Sequence, residues 1–546
     1  MSGKPAKWRL FSLNTVVMHH LTKRCSVVVA LLILTAARMP IEAADRSVNW
    51  ASFRNGGAST VAGQLPQEWT PEDGISWQHE TDGYGQSAPI IFNDRVFVTS
   101  VIGETKETCA VTAYELETGE QAWQSTVPAS QPGPSNYMNS RAAPTPVADG
   151  KGVYAFFETG NLIAINHDGE QLWKRDLAKD YGPFESNHGL GSSAAQTDEL
   201  VILNIEHKGP SALLAINKQD GTTQWKVERP SGSCWTTPVV IAESGQVVVS
   251  SAGSLTGYEA ASGTEIWTQD GLEGNSVPSP CVVGQNIFVG ARIPEFGSAA
   301  DAAKSNLCIV AGSDSPQIRW RAKTAVCDYA SPVVDGGQVY FLNNVGVLSC
   351  VDAETGEGIY RKRLHAECWA TPVVAENGIY FFAKDGSVKV VQRGREFAVV
   401  ATNRLWDAEH PPKPEKYREA KGSHGHGAHG GSAARGGGAR SEGGRAGGMI
   451  AAMMKSDANG DGVLQESEIS SDFRPMLKRV DTNGDGSLDQ EELAAMAKSF
   501  AERRKNSQAS SRDPIAYAVA AVPGAIVVRS GTRLYCVGSP NEELSQ

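Results

Sequence analysis

Between about residue 50 and residue 400 the chain alternates apolar and polar positions in short runs, and most runs break at a turn containing Gly. The stretch AYELETGEQAW, residues 113 to 123, shows the unit: an alternating run, a Gly at 119, and a Trp four positions later. Close copies end at Trp173, Trp225, Trp267 and Tyr360, and the offset is kept as Gly169/Trp173, Gly221/Trp225, Gly263/Trp267 and Gly356/Tyr360. A period of two closed by such a turn is a β-hairpin signature, because Gly supplies at little cost the φ > 0 that tight turns require. The constant offset puts each ring at the same place relative to its sheet.

Weaker copies at Trp77, Trp320 and Phe397 extend the aromatic series to 77, 123, 173, 225, 267, 320, 360 and 397, with spacings of 46, 50, 52, 42, 53, 40 and 37. A period of that length, with only strand signals inside it, predicts propeller blades of about four strands. A second punctuation keeps the same phase: SAPII at 87, PTPVA at 144, TTPVV at 236, PSPCV at 278, ASPVV at 330 and ATPVV at 370. Blade openings at 88, 145, 192, 237, 279, 331, 371 and 516 predict eight blades. The run ISWQHE, ending at Glu80, lacks the three inner strands that should precede it, and AYAVAAV, AIVVRS and TRLYCVG supply three between Ala516 and Gly538. One blade is therefore expected to join both ends of the chain and leave no free sheet edge. The stretch WASFRNGGAST, residues 50 to 60, reads only as a loop before the first strand.

On these residues the chain resembles the pyrroloquinoline-quinone-like β-propeller family, whose tryptophan-docking repeat reads roughly Ala-x-Asp-x-x-Thr-Gly-x-x-x-Trp. The resemblance covers about residues 50 to 400 and 512 to 538, with Glu115 and Asn217 where the family has Asp. It implies that each ring packs between adjacent blades. It also raises a quinone-dependent alcohol or sugar dehydrogenase, which would hold its cofactor on the axis with a disulfide between adjacent cysteines, an aromatic floor and a calcium ligand set. No two cysteines here are adjacent, and the closest pairs, Cys350/Cys368 and Cys308/Cys327, are 18 and 19 residues apart. Pyrroloquinoline quinone is therefore not an expected cofactor.

After residue 410 the pattern changes. PPKPEKYREAK leads into GSHGHGAHGGSAARGGGARSEGGRAGG, with 12 Gly between Lys421 and Gly448. Such a composition cannot build a core, so residues 411–448 read as a flexible tether with a reach on the order of 30 Å. His424, His426 and His429 lie in it without a second ligand cluster, which favours a polar linker over a metal site.

DANGDGVLQESE, Asp457 to Glu468, and DTNGDGSLDQEE, Asp481 to Glu492, match the twelve-residue EF-hand loop at every defining position. A hard cation needs oxygen ligands at positions 1, 3, 5 and 12, a carbonyl at 7 and a Gly at the sharp bend of position 6. The candidate ligands are Asp457, Asn459, Asp461, the Val463 carbonyl and Glu468 in the first loop, with Gly462 at the bend. In the second they are Asp481, Asn483, Asp485, the Ser487 carbonyl and Glu492, with Gly486 at the bend. Calcium is the expected ligand. Asp489 gives the second loop a fourth carboxylate, which predicts tighter binding there. The loops start 24 residues apart, a spacing that shortens the helices between them and argues for a structural site rather than a sensor that opens widely.

The expected fold is therefore all-β: an eight-bladed propeller closed by N- and C-terminal strands, with a small α-helical EF-hand insertion. Residues 45–410 hold the closing strand and seven blades, 449–505 the EF-hand pair and 512–540 the last blade. Lys4, Lys7, Arg9, Lys23 and Arg24, then SVVVALLILTAA from Ser26 to Ala37, make residues 1–44 a signal peptide. Export to the periplasm or beyond is expected, with no membrane span once it is removed; an uncleaved anchor and a start at Met18 remain open. Cys25 precedes the apolar run, on the wrong side for acylation. The other eight cysteines leave disulfides and buried free thiols both open. A net charge of -11 argues against nucleic acid as a partner.

The segments before the innermost strands carry Asn139, Arg141, His188, Trp235, Tyr329 and Trp369, and CWTTPVV and CWATPVV put Trp235 and Trp369 at equivalent sites. These six are candidates for an axial ligand surface, against the plainer reading that they pack blades and cap loops. The functional expectation is a non-enzymatic binding or scaffold protein with calcium loops and a protein or small-ligand partner on a propeller face. A quinone-dependent dehydrogenase and a dockerin-like calcium-dependent docking module stay open as alternatives.

Overall fold

The computed structural model describes residues 49–133, 139–186, 188–251, 253–293, 298–311, 315–364, 367–409, 411 and 516–540, together with 457, 459, 463–465, 468, 485–489 and 492–493 of the EF-hand loops. The chain divides into two units, Met1–Arg46 and Ser47–Gln546, and all described residues belong to the second. Eight antiparallel sheets of four strands each are present. Blade 1 contains Ile90–Phe92, Arg95–Ile102, Thr108–Glu115 and Gln121–Pro128, counted outward. Blades 2 to 7 follow in order with innermost strands Val147–Asp149, Ala195–Gln196, Val239–Ile241, Cys281–Val283, Val333–Asp335 and Val373–Ala375. Blade 8 takes Ala518–Val522, Ala525–Ser530 and Arg533–Gly538 from the C-terminal part and Ile75–Glu80 from the N-terminal part. Trp77 pairs with Cys536 and His79 with Leu534, so both ends of the chain close the ring as the sequence predicts.

The middle strands are buried on both faces, because every blade is covered by a neighbour on each side. In the strand Arg95–Ile102, Val96 and Val98 face the cluster shared with blade 8, while Phe97 and Val101 face the cluster shared with blade 2. The outermost strands have one edge in water, and Gln121–Pro128 accordingly keeps mostly polar, partly exposed positions. Alternation thus sorts residues between two interfaces inside the ring and between interface and solvent at its rim.

The repeat's Gly and aromatic residue meet, but across the blade boundary. Trp77 packs on Gly119, Trp123 on Gly169, Trp173 on Gly221, Trp225 on Gly263 and Trp320 on Gly356, each one blade ahead. In each pair the indole Nε1 donates to a carbonyl of the same turn, as Trp77 to Leu116 at 2.8 Å and Trp225 to Ala260 at 3.0 Å. A β-bulge lies beside the ring in each blade, and the residue opposite it is small: Ala113, Ala164, Ala215, Gly257, Cys308, Cys350 or Cys536. Cys308 and Cys536 are therefore space-matched partners of docking rings and Cys350 of Tyr360, and all eight from Cys109 to Cys536 are buried and free.

Three rings depart from the repeat, among them Tyr360, which meets Phe397 of blade 7 and no turn Gly. Trp267 donates to Gln246 of its own blade at 2.9 Å, because Pro316 stands where the next turn would carry its Gly. Phe397 is not a docking ring: the position opposite Val390 is Ala401, and Phe397 packs instead 5.5 Å from Tyr360 of blade 6. Trp406, beyond the outer strand, fills the blade 7 slot beside Gly386 and Tyr535.

The segment from Trp50 to Val61 lies across the axis, a placement that its loop-like composition does not suggest. Trp50 exchanges backbone hydrogen bonds with Ile91 of blade 1, and Ala51 accepts one from Ala148 of blade 2. Arg54 reaches Pro280 at the start of blade 5, and Ser59 reaches Pro372 at the start of blade 7. Touching inner strands all round the ring, the segment plugs the channel.

Candidate functional site

The innermost strands are held to one another by a belt of hydroxyl groups. The backbone N–H of Ala88 donates to Thr145 Oγ1, Thr145 to Ser193 Oγ, and Ser193 to Thr237 Oγ1, at 3.0, 3.0 and 3.1 Å. Thr237 then donates to Ser279, Ser279 to Ser331 and Ser331 to Thr371, at 2.9, 3.0 and 3.0 Å. Each link satisfies an amide that the inner edge of a sheet would leave open. The sequence shows these positions only as small residues before an apolar run. The belt runs from blade 1 to Thr371 of blade 7 and leaves out blade 8, where the corresponding residue is Ala518. There Arg529 of blade 8, fully buried, donates to Ser87 Oγ, the Thr99 carbonyl and Ser100 Oγ of blade 1 at 2.9, 2.6 and 2.9 Å.

Inside the belt lies a funnel of about 630 Å³. Asn139, His188, Trp235, Tyr329 and Trp369 all line it, so five of the six candidates converge. Arg141 is not part of that lining. It is buried with its guanidinium carbon 3.3 Å from the centre of the Tyr84 ring, and its backbone exchanges hydrogen bonds with Gln86. It supports the wall from behind, because the loop holding it turns toward blade 1 at Ala142, whose φ is 47°.

The funnel wall carries an arc of rings. Tyr329 and Trp369 have centroids 5.0 Å apart, Trp369 and Tyr517 6.1 Å, and Tyr517 and Tyr84 6.3 Å, with their hydroxyls 2.7 Å apart. Lys384 Nζ stands 4.3 Å over Trp369 and 2.8 Å from Glu367, and Arg292 stands 5.9 Å over Tyr329. Asp328, beneath Arg292, has its carboxyl pushed up by burial against the hydrogen bond it accepts from Asn344. The arc thus combines apolar faces with both donors and acceptors, the makeup of a ligand site. Lys384, Glu367, Arg292 and Tyr517 escape a reading of the sequence because the pair at blade 7, Glu367 and Lys384, meets Arg292 and Tyr517 only through ring closure.

The cofactor clamp that the quinoprotein resemblance implies does not fit this funnel. The ring pairs facing it are tilted by 41°, 50° and 51°, so they offer no parallel slot for a flat cofactor. Its cysteines are free and separated.

In the EF-hand pair, the short strands Leu464–Gln465 and Ser487–Leu488 join the two loops, with Leu464 opposite Leu488 and both buried. The Glu468 carboxylate turns back across its loop and accepts from the backbone N–H of Asn459 at 3.3 Å and of Gln465 at 3.1 Å. That brings position 12 over position 3, as coordination requires. In the second loop Gly486 has φ 81° at the bend, Asp485 accepts from Ser487, and Glu492 is buried. Asp457, Val463 and Ser487 are also described, whereas Asp461, Asp481, Asn483 and most of the flanking helices lie outside the described residues. Among the described residues no group of three or more His, Cys, Asp or Glu is gathered as for a metal ion.

Comparison with known proteins bears on both parts. A family model described as outer membrane protein assembly factor BamB matches residues 59–185, 209–308 and 309–424, and an EF-hand model matches 473–497. Outer membrane protein assembly factor BamB of Yersinia pestis is 23% identical over 240 residues, 40% of this chain and 56% of that protein. The protein of the same name from Burkholderia pseudomallei (strain K96243) is 25% identical over 236 residues, 40% of this chain and 54% of that protein. The chain spans about half the length of the curated relatives it matches. Among solved structures, BamB from Moraxella catarrhalis has a TM-score of 0.44 at 15% identity, covering 62% of this chain and 91% of that one. A europium-containing methanol dehydrogenase has 0.46 at 12%, covering 66% and 86%. The family model spans more than half of the sequence, and the chain therefore belongs to the pyrroloquinoline-quinone-like repeat family described as outer membrane protein assembly factor BamB.

Proposed function

We propose that the chain is an exported, non-enzymatic propeller scaffold that receives a protein or small-ligand partner at its axial funnel and binds calcium through its EF-hand pair. The observation that carries this reading is the plugged axis. Because Trp50 to Val61 close one side of the ring, the rings and polar groups of the funnel serve a single mouth. Asn139, His188, Trp235, Tyr329 and Trp369 are the proposed contacts, with Arg141 as a positioning residue behind Tyr84. The names of the relatives from Yersinia pestis and Burkholderia pseudomallei describe assembly of outer membrane proteins, which supports an assembly partner in the cell envelope. The ten ligand positions from Asp457 to Glu492 are proposed as two calcium sites, the second being the tighter.

Quinone titration of the purified protein, with an artificial electron acceptor and a panel of alcohols and sugars, tests the reading. No turnover is expected, and turnover that Trp369→Ala abolishes would replace the scaffold with a dehydrogenase.

A further inference from the structure

Where the plug meets the funnel there is a second, smaller chamber of about 60 Å³, lined by Trp50, Phe53, Arg54, Trp369, Thr371 and Tyr517 among others. Arg54 is 3% exposed and has φ 53°, a backbone state that a non-glycine residue holds only where its surroundings enforce it. Its Nη1 donates to the Gly57 carbonyl at 3.0 Å and its Nη2 to the Pro280 carbonyl at 2.8 Å, but its buried Nε has no acceptor. Trp50, 1% exposed, likewise has a buried Nε1 with no acceptor. Both groups are donors only, so a protein side chain or ligand that answers them must be an acceptor.

The guanidinium carbon of Arg54 stands 5.3 Å from the centre of the Phe53 ring, but no counter-ion meets its charge. Among the described residues no carboxylate pairs with it, whereas buried Arg229 is met by Glu206 at 2.9 Å. The titratable groups nearest to it are Cys281 and Cys327, and burial pushes the Cys281 thiol up to about 11 and that of Cys327 further. Both are neutral thiols at neutral pH. Burial lowers Arg54 itself only to about 10, so it stays a cation there. Arg529 is as deeply buried and also lacks a carboxylate among the described residues, but each of its nitrogens has an acceptor. What sets Arg54 apart is the open Nε beside its charge, and a desolvated charged donor of that kind is strongly disfavoured unless an acceptor answers it.

We infer that this chamber binds a small monoanion, chloride-sized or a carboxylate group, held by the Nε–H of Arg54 and the Nε1–H of Trp50. Thr371 adds a hydroxyl whose oxygen accepts from Ser331 and whose hydrogen is free to donate. Trp50, Phe53, Trp369 and Tyr517 exclude water from the ion, which strengthens each of these bonds. The chamber shares Phe53, Tyr329, Trp369 and Tyr517 with the funnel. A carboxylate could therefore belong to a free small anion or to the tip of a larger molecule seated above.

The full-length protein, exchanged into sodium isethionate, a bulky sulfonate with no carboxylate, is melted in chloride, bromide, formate and isethionate at one ionic strength, and crystals soaked in bromide are measured above the bromine edge. The melting temperature is expected to rise by about 3 °C in the small anions over isethionate, as mass action on a native-state site requires. Anomalous density is expected within 4 Å of both nitrogens. Trp50→Phe, which keeps the ring and removes one donor, should weaken bromide binding about tenfold, and Arg54→Gln should abolish it. Bromide displaced by formate but not by chloride assigns the site to carboxylate groups; displacement by both assigns it to small anions generally. Identical melting in isethionate and chloride together with no bromide density would overturn the inference, whether or not Arg54→Gln folds.

Discussion

Gly119→Ala tests the docking geometry on which the ring depends, at the junction where the two ends of the chain meet. The substitution has two separable costs. Gly119 has φ +71°, and moving a residue with a Cβ into the left-handed region costs about 1 kcal/mol. The new Cβ would also stand 2.5 Å from Trp77 Cδ2, too close for any real contact. Trp77 must then leave a slot in which it is 9% exposed, losing about 2 kcal/mol of burial. Its hydrogen bond to the Leu116 carbonyl is lost with it, for about 1 kcal/mol more. The expected total is about 4 kcal/mol. Gly245 is the matched control: its φ is +63° and nothing lies within 4 Å of an added Cβ, so Gly245→Ala should cost only the backbone share, about 1 kcal/mol. Urea unfolding followed by Trp fluorescence and by far-ultraviolet circular dichroism measures both, with the midpoint compared at unchanged slope. Equal midpoints for the two variants would refute the claim that the glycines exist to admit the rings.

Thr237→Val keeps the shape of the belt but removes the acceptor of the Ser193 amide, and should cost about 1–3 kcal/mol with faster hydrogen exchange at Ser193. Burial pushes the thiols of Cys109, Cys234 and Cys368 up to about 12. None of the eight buried cysteines should react with a disulfide reagent at neutral pH until denaturant is added. A thiol whose folded value is raised stabilises the fold fully below its unfolded value and progressively less above it, so alkaline titration from about pH 9 to 12 should lower the melting temperature. In calcium calorimetry, Glu468→Gln and Glu492→Gln should each remove one site, and unchanged isotherms for both would remove the metal assignment.

Much of this protein is written locally. Seven of the eight blades are meanders whose four strands fall within about 40 to 50 residues of continuous chain, so those repeats are legible without any knowledge of what they pack against. The EF-hand loops are legible for a related reason: twelve consecutive residues supply the whole coordination shell. What the sequence cannot display is any partnership whose members are brought together only by closure of the ring. The glycine at 119 reads as a partner of Trp123 in its own repeat, yet it receives Trp77 from the blade before. Arg529 reads as an ordinary strand residue, but three of its acceptors, in blade 1, lie more than 400 residues away. The plug reads as a loop because Arg54 and Ser59 find their acceptors at Pro280 and Pro372, separations of 226 and 313 residues. Local chemistry thus determined the blade, its hinge and the calcium loop, since each satisfies its own backbone and ligand geometry within a short stretch. Tertiary structure decided the sealed axis, the hydroxyl belt and the funnel, since buried polar groups take whichever partner the closed ring sets beside them.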